Sequence, residues 1–394
     1  MKNIFKKINK LLKAGFRFAY LNIRYIKKNF KIKEGKYAIL NFDHQLKSED
    51  HSRYFYIICM FLKYAGFNVI IKTQWRDFRT FKKPLDFKKL LLQQNYILVR
   101  ESSAPLNTIV LVQPGTPNHT VRLSYGYHLA YEYKDIIKSG QVDCIAPYPA
   151  YPMQYKYYSN PSFLPALRKS NRTMKMFFAG DTSEIRYANA KVEKCFKVLP
   201  RLEVIKYILS NFKNSKKLQG DSGKLILKQL LSLNDYINEI IISQVKTQEE
   251  DWLKILSKTD FFICTPGERM PWSHNCVEAM SVGAIPILEY GDLLYPALEN
   301  SKNCLSFTDR EGLQKAIERA LAMEPSEIQD MRQNVLDYYD KNLSADSILN
   351  KIKTFSKSSR HELKVAFPFV ANRKEWLSIQ AVYDPKELEQ LRVI

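Results

Sequence analysis

Apolar and polar positions along the chain lay out the same alternation twice. Tyr37 to Phe42 (YAILNF) is a short apolar run, Arg53 to Ala65 carries apolar residues at helical spacing, and Asn68 to Lys72 (NVIIK) follows a turn at Gly66. That is strand, helix, strand. Further strands are predicted at Tyr96 to Arg100, Thr108 to Gln113 and Val142 to Ala146, so the first half reads as an α/β domain built on a parallel sheet. Residues 147–165 then hold five prolines and five tyrosines and mark a linker. The second pattern starts at Met174, with strands at Lys175 to Ala179, near Lys224 to Lys228, at Asp260 to Thr265 and at Ala284 to Leu288. Helices are predicted at Ala188 to Phe212, Ser273 to Val282, Arg310 to Met323 and Ser326 to Tyr339.

Ahead of both patterns, Ile4, Ile8, Leu11, Leu12, Phe16, Ala19, Ile23, Ile26 and Phe30 recur every three or four residues, with Lys and Arg on many positions between them. This reads as a basic amphipathic helix, suited either to lying on an anionic membrane surface or to packing its apolar stripe on its own domain. The resulting organisation is 1–36 basic helix, 37–165 first domain and linker, 166–372 second domain, and a tail, 373–394, placed to run back toward the first domain. Two doubly wound sheets facing each other would bring their carboxyl ends onto one cleft, where such sheets bind ligands.

Composition narrows the picture. The 394 residues are 45% hydrophobic and 13% aromatic, too apolar for a disordered chain. The longest apolar run, Tyr54 to Leu62, falls well short of the ~18 residues that a membrane span needs. Of the formal +21 charge, residues 1–36 supply +11, with twelve basic side chains against Glu34 alone. A nucleic-acid binder would carry its excess on the folded part among aromatics, so nucleic acid is not the expected partner. Six cysteines, at 59, 144, 195, 264, 276 and 304, form no CxxC and no zinc spacing, and they read as buried, reduced thiols. Lysines break any secretory-signal core, which places the protein in a reducing cytoplasm, peripheral on the inner face of the membrane.

Chemistry concentrates in Asp260 to Pro296, DFFICTPGERMPWSHNCVEAMSVGAIPILEYGDLLYP. A strand ends at Pro266-Gly267, Ser273 is a good N-cap, and the helix it opens presents free N–H groups and a positive dipole end to an anion such as a diphosphate. His274 and Asn275 sit on the first turn. Glu278 lies one turn further, where a carboxylate suits the vicinal hydroxyls of a ribose, or simply sits near a favourable dipole end.

This stretch resembles the donor-binding half of GT-B glycosyltransferases, most closely the exostosin-like kind. The features in order are the strand Phe261 to Thr265, Pro266-Gly267, Ser273 through Glu278, Ala279 to Gly283 and Ile285-Pro286-Ile287. The resemblance covers roughly residues 174–320. It implies two Rossmann-like domains, Glu278 on the donor ribose, and the loop Gly267 to Asn275 around the diphosphate. Asn275 stands where the family pattern has an Arg, so Arg269, Arg201 or Arg186 would supply the missing cation. The acceptor and a general base fall to the first domain, with Asp43 and His44 at the carboxyl end of the first strand as candidates. His119, His128 and the tyrosine-rich linker are alternatives for lining the acceptor site. The implied activity is transfer of a sugar from a nucleotide-sugar donor to a growing glycan or lipid-linked acceptor. No D-x-D occurs, so no metal and no other cofactor is expected. A non-catalytic carbohydrate or nucleic-acid binder, or a nucleotide-sugar epimerase, would use the same fold.

Overall fold

The computed structural model describes residues 2–21, 35–41, 52–72, 97–99, 108–126, 130–146, 162–187, 191–268 and 270–368. Helix α1 (Lys2–Leu21) is the predicted basic helix, and its apolar side chains Ile4, Phe5, Ile8, Leu11, Leu12 and Phe16 are all exposed. No helix among the described residues is long and apolar enough to cross a membrane.

The rest forms two compact units, each with its own sheet. In the first unit β1 (Tyr37–Asn41), α2 (Ser52–Tyr64) and β2 (Asn68–Lys72) make the predicted β-α-β opening, with β1 and β2 parallel from Tyr37 opposite Asn68 to Asn41 opposite Lys72. Ala38 and Leu40 of β1 and Ile57 to Leu62 of α2 are buried, which is the packing their periods require. Strands β3 (Ile97–Val99), β4 (Thr108–Val112), β5 (His119–Gly126), helix α3 (Ala130–Lys138) and β6 (Cys144–Ile145) follow.

The sheet is mixed, not parallel. Strand β4 runs antiparallel to both β1 and β5. The reason is local: β4 and β5 are joined by six residues around Pro114-Gly115, where Gly115 takes φ +74° and the Thr116 N–H donates to the Gln113 carbonyl at 3.3 Å. A parallel connection needs a crossover of about a dozen residues or more, so this short turn forces a hairpin.

The second unit opens with α4 (Phe163–Arg168) and β7 (Met174–Ala179), then α5 (Glu184–Tyr187), α6 (Lys191–Phe196) and α7 (Arg201–Asn211). The single helix predicted from Ala188 to Phe212 is interrupted ahead of Pro200, which takes the N-cap position of α7, as expected where proline disfavours helix in the residue before it. Next come β8 (Ser215–Leu218), α8 (Gly220–Ser232) and β9 (Ile237–Ser243). The strand predicted near Lys224 to Lys228 is therefore helix; Gly223, Leu227 and Leu230 bury one face at three-to-four spacing. The unit continues through α9 (Glu249–Leu256), β10 (Thr259–Ile263), α10 (His274–Ser281), β11 (Ile285–Leu288), β12 (Leu305–Ser306), α11 (Arg310–Ala322) and α12 (Pro325–Tyr338).

Sequence position misassigned the last stretch. Helix α13 (Ala345–Phe355) packs on α2, and β13 (Glu362–Pro368) pairs with β5 and β6, so both complete the first unit although the sequence placed them in the second domain. The predicted tail, 373–394, lies outside the described residues.

All pairings in the second sheet are parallel, in the order β12-β11-β10-β7-β9-β8. The chain leaves β7 for the β8 edge, returns through β9, and crosses β7 to reach β10. Helices α8, α9, α10 and α12 touch in series, and α7 touches α5 and α11, which gives two helix layers. Connections from β7 and from its neighbour β10 thus diverge to opposite layers, and the carboxyl ends of these two strands are the topological switch point of a doubly wound sheet.

Candidate functional site at the switch point

Two loops meet at that end of the second sheet. One is Gly180-Asp181 after β7; the other is Cys264 to Trp272 after β10. The second loop turns on Gly267, whose N–H donates to the Met270 carbonyl at 2.9 Å. A Cβ on Gly267 would stand 2.8 Å from the Met270 oxygen and 3.1 Å from the Trp272 oxygen, so only glycine fits without moving backbone. Trp272 anchors the far end of the loop, its Nε1–H donating to the Leu293 carbonyl at 3.0 Å.

Arg201, the first residue of α7, ties the loops together. Its Nε–H donates to the Pro266 carbonyl at 3.1 Å and Nη1 to the Asp181 carbonyl at 3.0 Å, while the guanidinium lies 3.9 Å above the Tyr187 ring. The residue is only 6% exposed. Burial draws its pKa down, against the pull of Tyr187, Tyr290 and Asp181. Planar, forked and still a cation near neutral pH, this group can serve two backbone acceptors at once.

Helix α10 starts as predicted. Ser273 occupies the N-cap in extended conformation (φ −128°, ψ 135°), though its side chain makes no capping bond. Asn275 Nδ2 donates to the Ala179 carbonyl at 3.0 Å, which fixes the first turn of α10 to the end of β7. The Cys276 N–H donates back to the Ser273 carbonyl at 3.2 Å, and the dipole adds partial positive charge at this end of the helix. His274 is half-buried beside Asn275.

Glu278 follows one turn further along α10. It is 0% exposed, and Oε2 accepts from Trp252 Nε1–H of α9 at 2.5 Å. Trp252 in turn packs edge-on against Phe262 of β10, ring centroids 6.3 Å apart. Through Oε2 the carboxylate links α9 to α10. Glu278→Ala should lower unfolding free energy by about 2 kcal/mol by stranding the indole N–H, whereas Glu278→Gln keeps an acceptor and should cost under about 1 kcal/mol. Urea unfolding of the two variants measures the difference.

Of the other expected site residues, Arg186 lies on α5, beside Tyr187, which stacks on Arg201. Asp43, His44, Arg269 and His128 lie outside the described residues. His119 is not available to an acceptor: it is 2% exposed, its Nδ1–H donates to the Arg360 carbonyl at 2.7 Å, and its ring meets Phe355 edge-on. Cys59, Cys144, Cys264, Cys276 and Cys304 are free and buried, as read from the sequence.

Sequence reading did not foresee Asp181 as a partner of Arg201, or Asn275 as the clasp on β7. The turn G-D-T-S after β7 was the available signal, since a polar run after the first strand of a doubly wound sheet marks its ligand end.

No protein-family model matches the chain, and no curated protein matches its sequence. Among solved structures it is similar to a glycosyltransferase from Rickettsia africae ESF-5, 13% identical at TM-score 0.40, covering 82% of this chain and 99% of that one. It is also similar to an alpha-glucosyltransferase in complex with UDP and a mismatched DNA 13-mer, 10% identical at TM-score 0.36, over 77% and 82% of the two chains. A third is the N-terminal domain of Candida albicans trehalose-6-phosphate phosphatase, 12% identical at TM-score 0.30, over 76% and 67%. Likeness of this weakness carries no weight for function.

Proposed function

We propose that the chain is a GT-B glycosyltransferase that moves a sugar from a nucleotide-sugar donor to a growing surface glycan or a lipid-linked acceptor, while held peripherally on an anionic membrane surface by α1. The observation that carries this reading is the convergence at the switch point of the second sheet. The Pro266-Gly267 turn and the start of α10, which bear the sequence resemblance to exostosin-like donor sites, are clamped to the end of β7 by Arg201 and Asn275.

In this reading the donor diphosphate sits on the N–H groups of Ser273, His274 and Asn275, with Arg269 as the neighbouring cation. Departure of the nucleoside diphosphate builds negative charge on its terminal phosphate, and preorganised donors aimed there lower the barrier without reorganising. Arg201 is a positioning residue, holding both loops. Glu278 is the candidate for the donor ribose, with its Oε2 held by Trp252, so Glu278→Gln should weaken donor binding while the fold survives. The acceptor and the base belong to the first unit, with His44 and Asp43 as its candidates. The reading needs no metal.

Thermal-shift screening against UDP, GDP, ADP, CMP and dTDP sugars tests it. The true donor class at ~100 Kd should add about 2.7 kcal/mol of stability, and sugar transfer should survive excess EDTA. No stabilisation by any donor, with no transfer, would sink the enzyme reading in favour of a binding protein; loss of transfer on chelation, restored by Mn²⁺, would sink the metal-free one.

A further inference from the structure

At the other end of the second sheet, away from the Gly267 loop, lies a cavity of about 670 Å³, within the size range of small-molecule sites. Arg168 at the end of α4 and Lys169 and Arg172 between α4 and β7 line one side, and Gln329, Arg332 and Gln333 line it from α12. Among the described residues four cations border it and no carboxylate does.

These charges are unevenly matched. Arg332 pairs with Asp260, whose other oxygen accepts from Tyr236 Oη at 2.7 Å. Arg168 grips Asp340 with both Nη groups, at 2.9 and 2.7 Å, and caps the Ser281 carbonyl through Nε. Arg172 reaches only carbonyls, those of Leu256, Thr259 and Val282 at the ends of α9 and α10 and the start of β10. Lys169 is exposed, and among the described residues its ammonium has no partner. Two of the four cations thus lack a carboxylate.

Arg172 and Arg332 also each bury an Nε–H without an acceptor. Buried donors are nearly always satisfied, so two orphans on the guanidiniums that line the cavity add to the unanswered positive charge there. The Arg172 pKa is drawn down to about 9, by burial first and by the facing Arg332 second, which means the two guanidiniums oppose each other as the cavity stands. An anion between them would relieve that opposition.

We propose that this cavity binds a phosphate group carried on a small hydroxylated molecule, with the phosphate between Lys169, Arg172 and Arg332 and the hydroxyls on the side-chain amides of Gln329 and Gln333. A phosphate dianion answers the unmatched charge and offers enough acceptor oxygens for forked guanidinium donors. Gln329 Oε1 already accepts from Arg332 Nη1 at 2.9 Å and Gln333 Nε2 donates to Asp337 at 2.8 Å, so the Gln329 amide N–H groups and the Gln333 amide oxygen are the atoms that suit hydroxyls. Such a phosphate can come from a soluble polyol phosphate or from a phospholipid headgroup. This site stands apart from the donor loops and does not depend on the donor reading.

The test is calorimetric titration of the full chain with glycerol 3-phosphate, beside the same titration with a soluble short-chain phosphatidic acid below its micelle concentration. Lys169→Glu and Gln333→Glu each place an acid at the rim of an otherwise unchanged fold and should weaken binding at least about tenfold, with melting temperatures and UDP titrations unaltered. Binding of glycerol 3-phosphate that is lost in both variants supports a soluble ligand. Binding of the short-chain phosphatidic acid alone, lost in both variants, supports the headgroup source. Binding that neither variant weakens, binding that saturating UDP abolishes, or no binding to either probe overturns the proposal.

Discussion

Arg201→Ala should lower the unfolding free energy by about 3 kcal/mol and weaken donor binding at least tenfold. The guanidinium makes two charge-assisted hydrogen bonds, to Pro266 and Asp181 carbonyls, each worth about 1.5 to 3 kcal/mol. Truncation leaves both carbonyls dry and removes the stacking on Tyr187. Part of this loss is offset, because the buried charge itself carries a desolvation penalty, as its lowered pKa shows. The donor effect follows from geometry: with the clamp gone, the loop at Gly267 and the end of β7 are free to separate, and a displacement of ~1 Å in a positioned site is enough for a large loss. Arg201→Lys is the informative companion. Its single ammonium cannot serve two carbonyls in the same fork, so the fold should largely survive while donor affinity still falls. Urea unfolding and donor calorimetry on both variants separate the roles. If Arg201→Ala matches the unaltered chain in both, the two loops do not depend on the guanidinium.

Local signals carried most of the architecture. Asn68 to Lys72 is a strand to the residue, and Ser273 opens α10 as its spacing required, because turn chemistry and period act within a few residues. Failures came where the deciding contact is distant in sequence. The apolar run LIL at residues 225–227 fits a short strand or one side of a helix equally well, and only the burial of Leu227 and Leu230 under the second sheet's helix layer decides it. Nothing inside Glu362–Pro368 says which sheet it will join; its partner β5 begins at His119, more than two hundred residues earlier. The site shows the same division. A carboxylate one turn into a helix after a Pro-Gly loop has the pattern of a ribose ligand, and that pattern says nothing of Trp252, whose indole N–H holds Glu278 Oε2. The Pro114-Gly115 turn is a local signal that the expectation of a parallel sheet passed over, and it joins β4 to β5 as an antiparallel pair.

Deleting residues 1–35 should release the protein from anionic vesicles by more than a hundredfold in partition, with the two sheets and donor binding intact. Ile4, Phe5, Ile8, Leu11, Leu12 and Phe16 are each between 44% and 76% exposed, so their apolar surface is already in water and is covered by no described part of the protein. Burying such a side chain fully is worth about 1.5 to 3 kcal/mol, and these six would each gain a part of that in the headgroup region. Lys2, Lys6, Lys7, Lys10, Lys13 and Arg17 belong to the same helix, which has no acidic residue in its first turn. Each basic side chain near an anionic leaflet adds about 1 kcal/mol before salt screening. The two contributions separate experimentally. Raising salt should weaken the electrostatic part and leave the apolar part, whereas Phe5→Ser with Phe16→Ser should do the reverse. Strand β1, whose first residue is Tyr37, begins beyond the deletion, so the sheet keeps all its strands. A truncated chain that still sediments with vesicles at moderate salt would show that the attachment lies elsewhere on the protein, and one that unfolds would show that α1 is a structural element of the first unit.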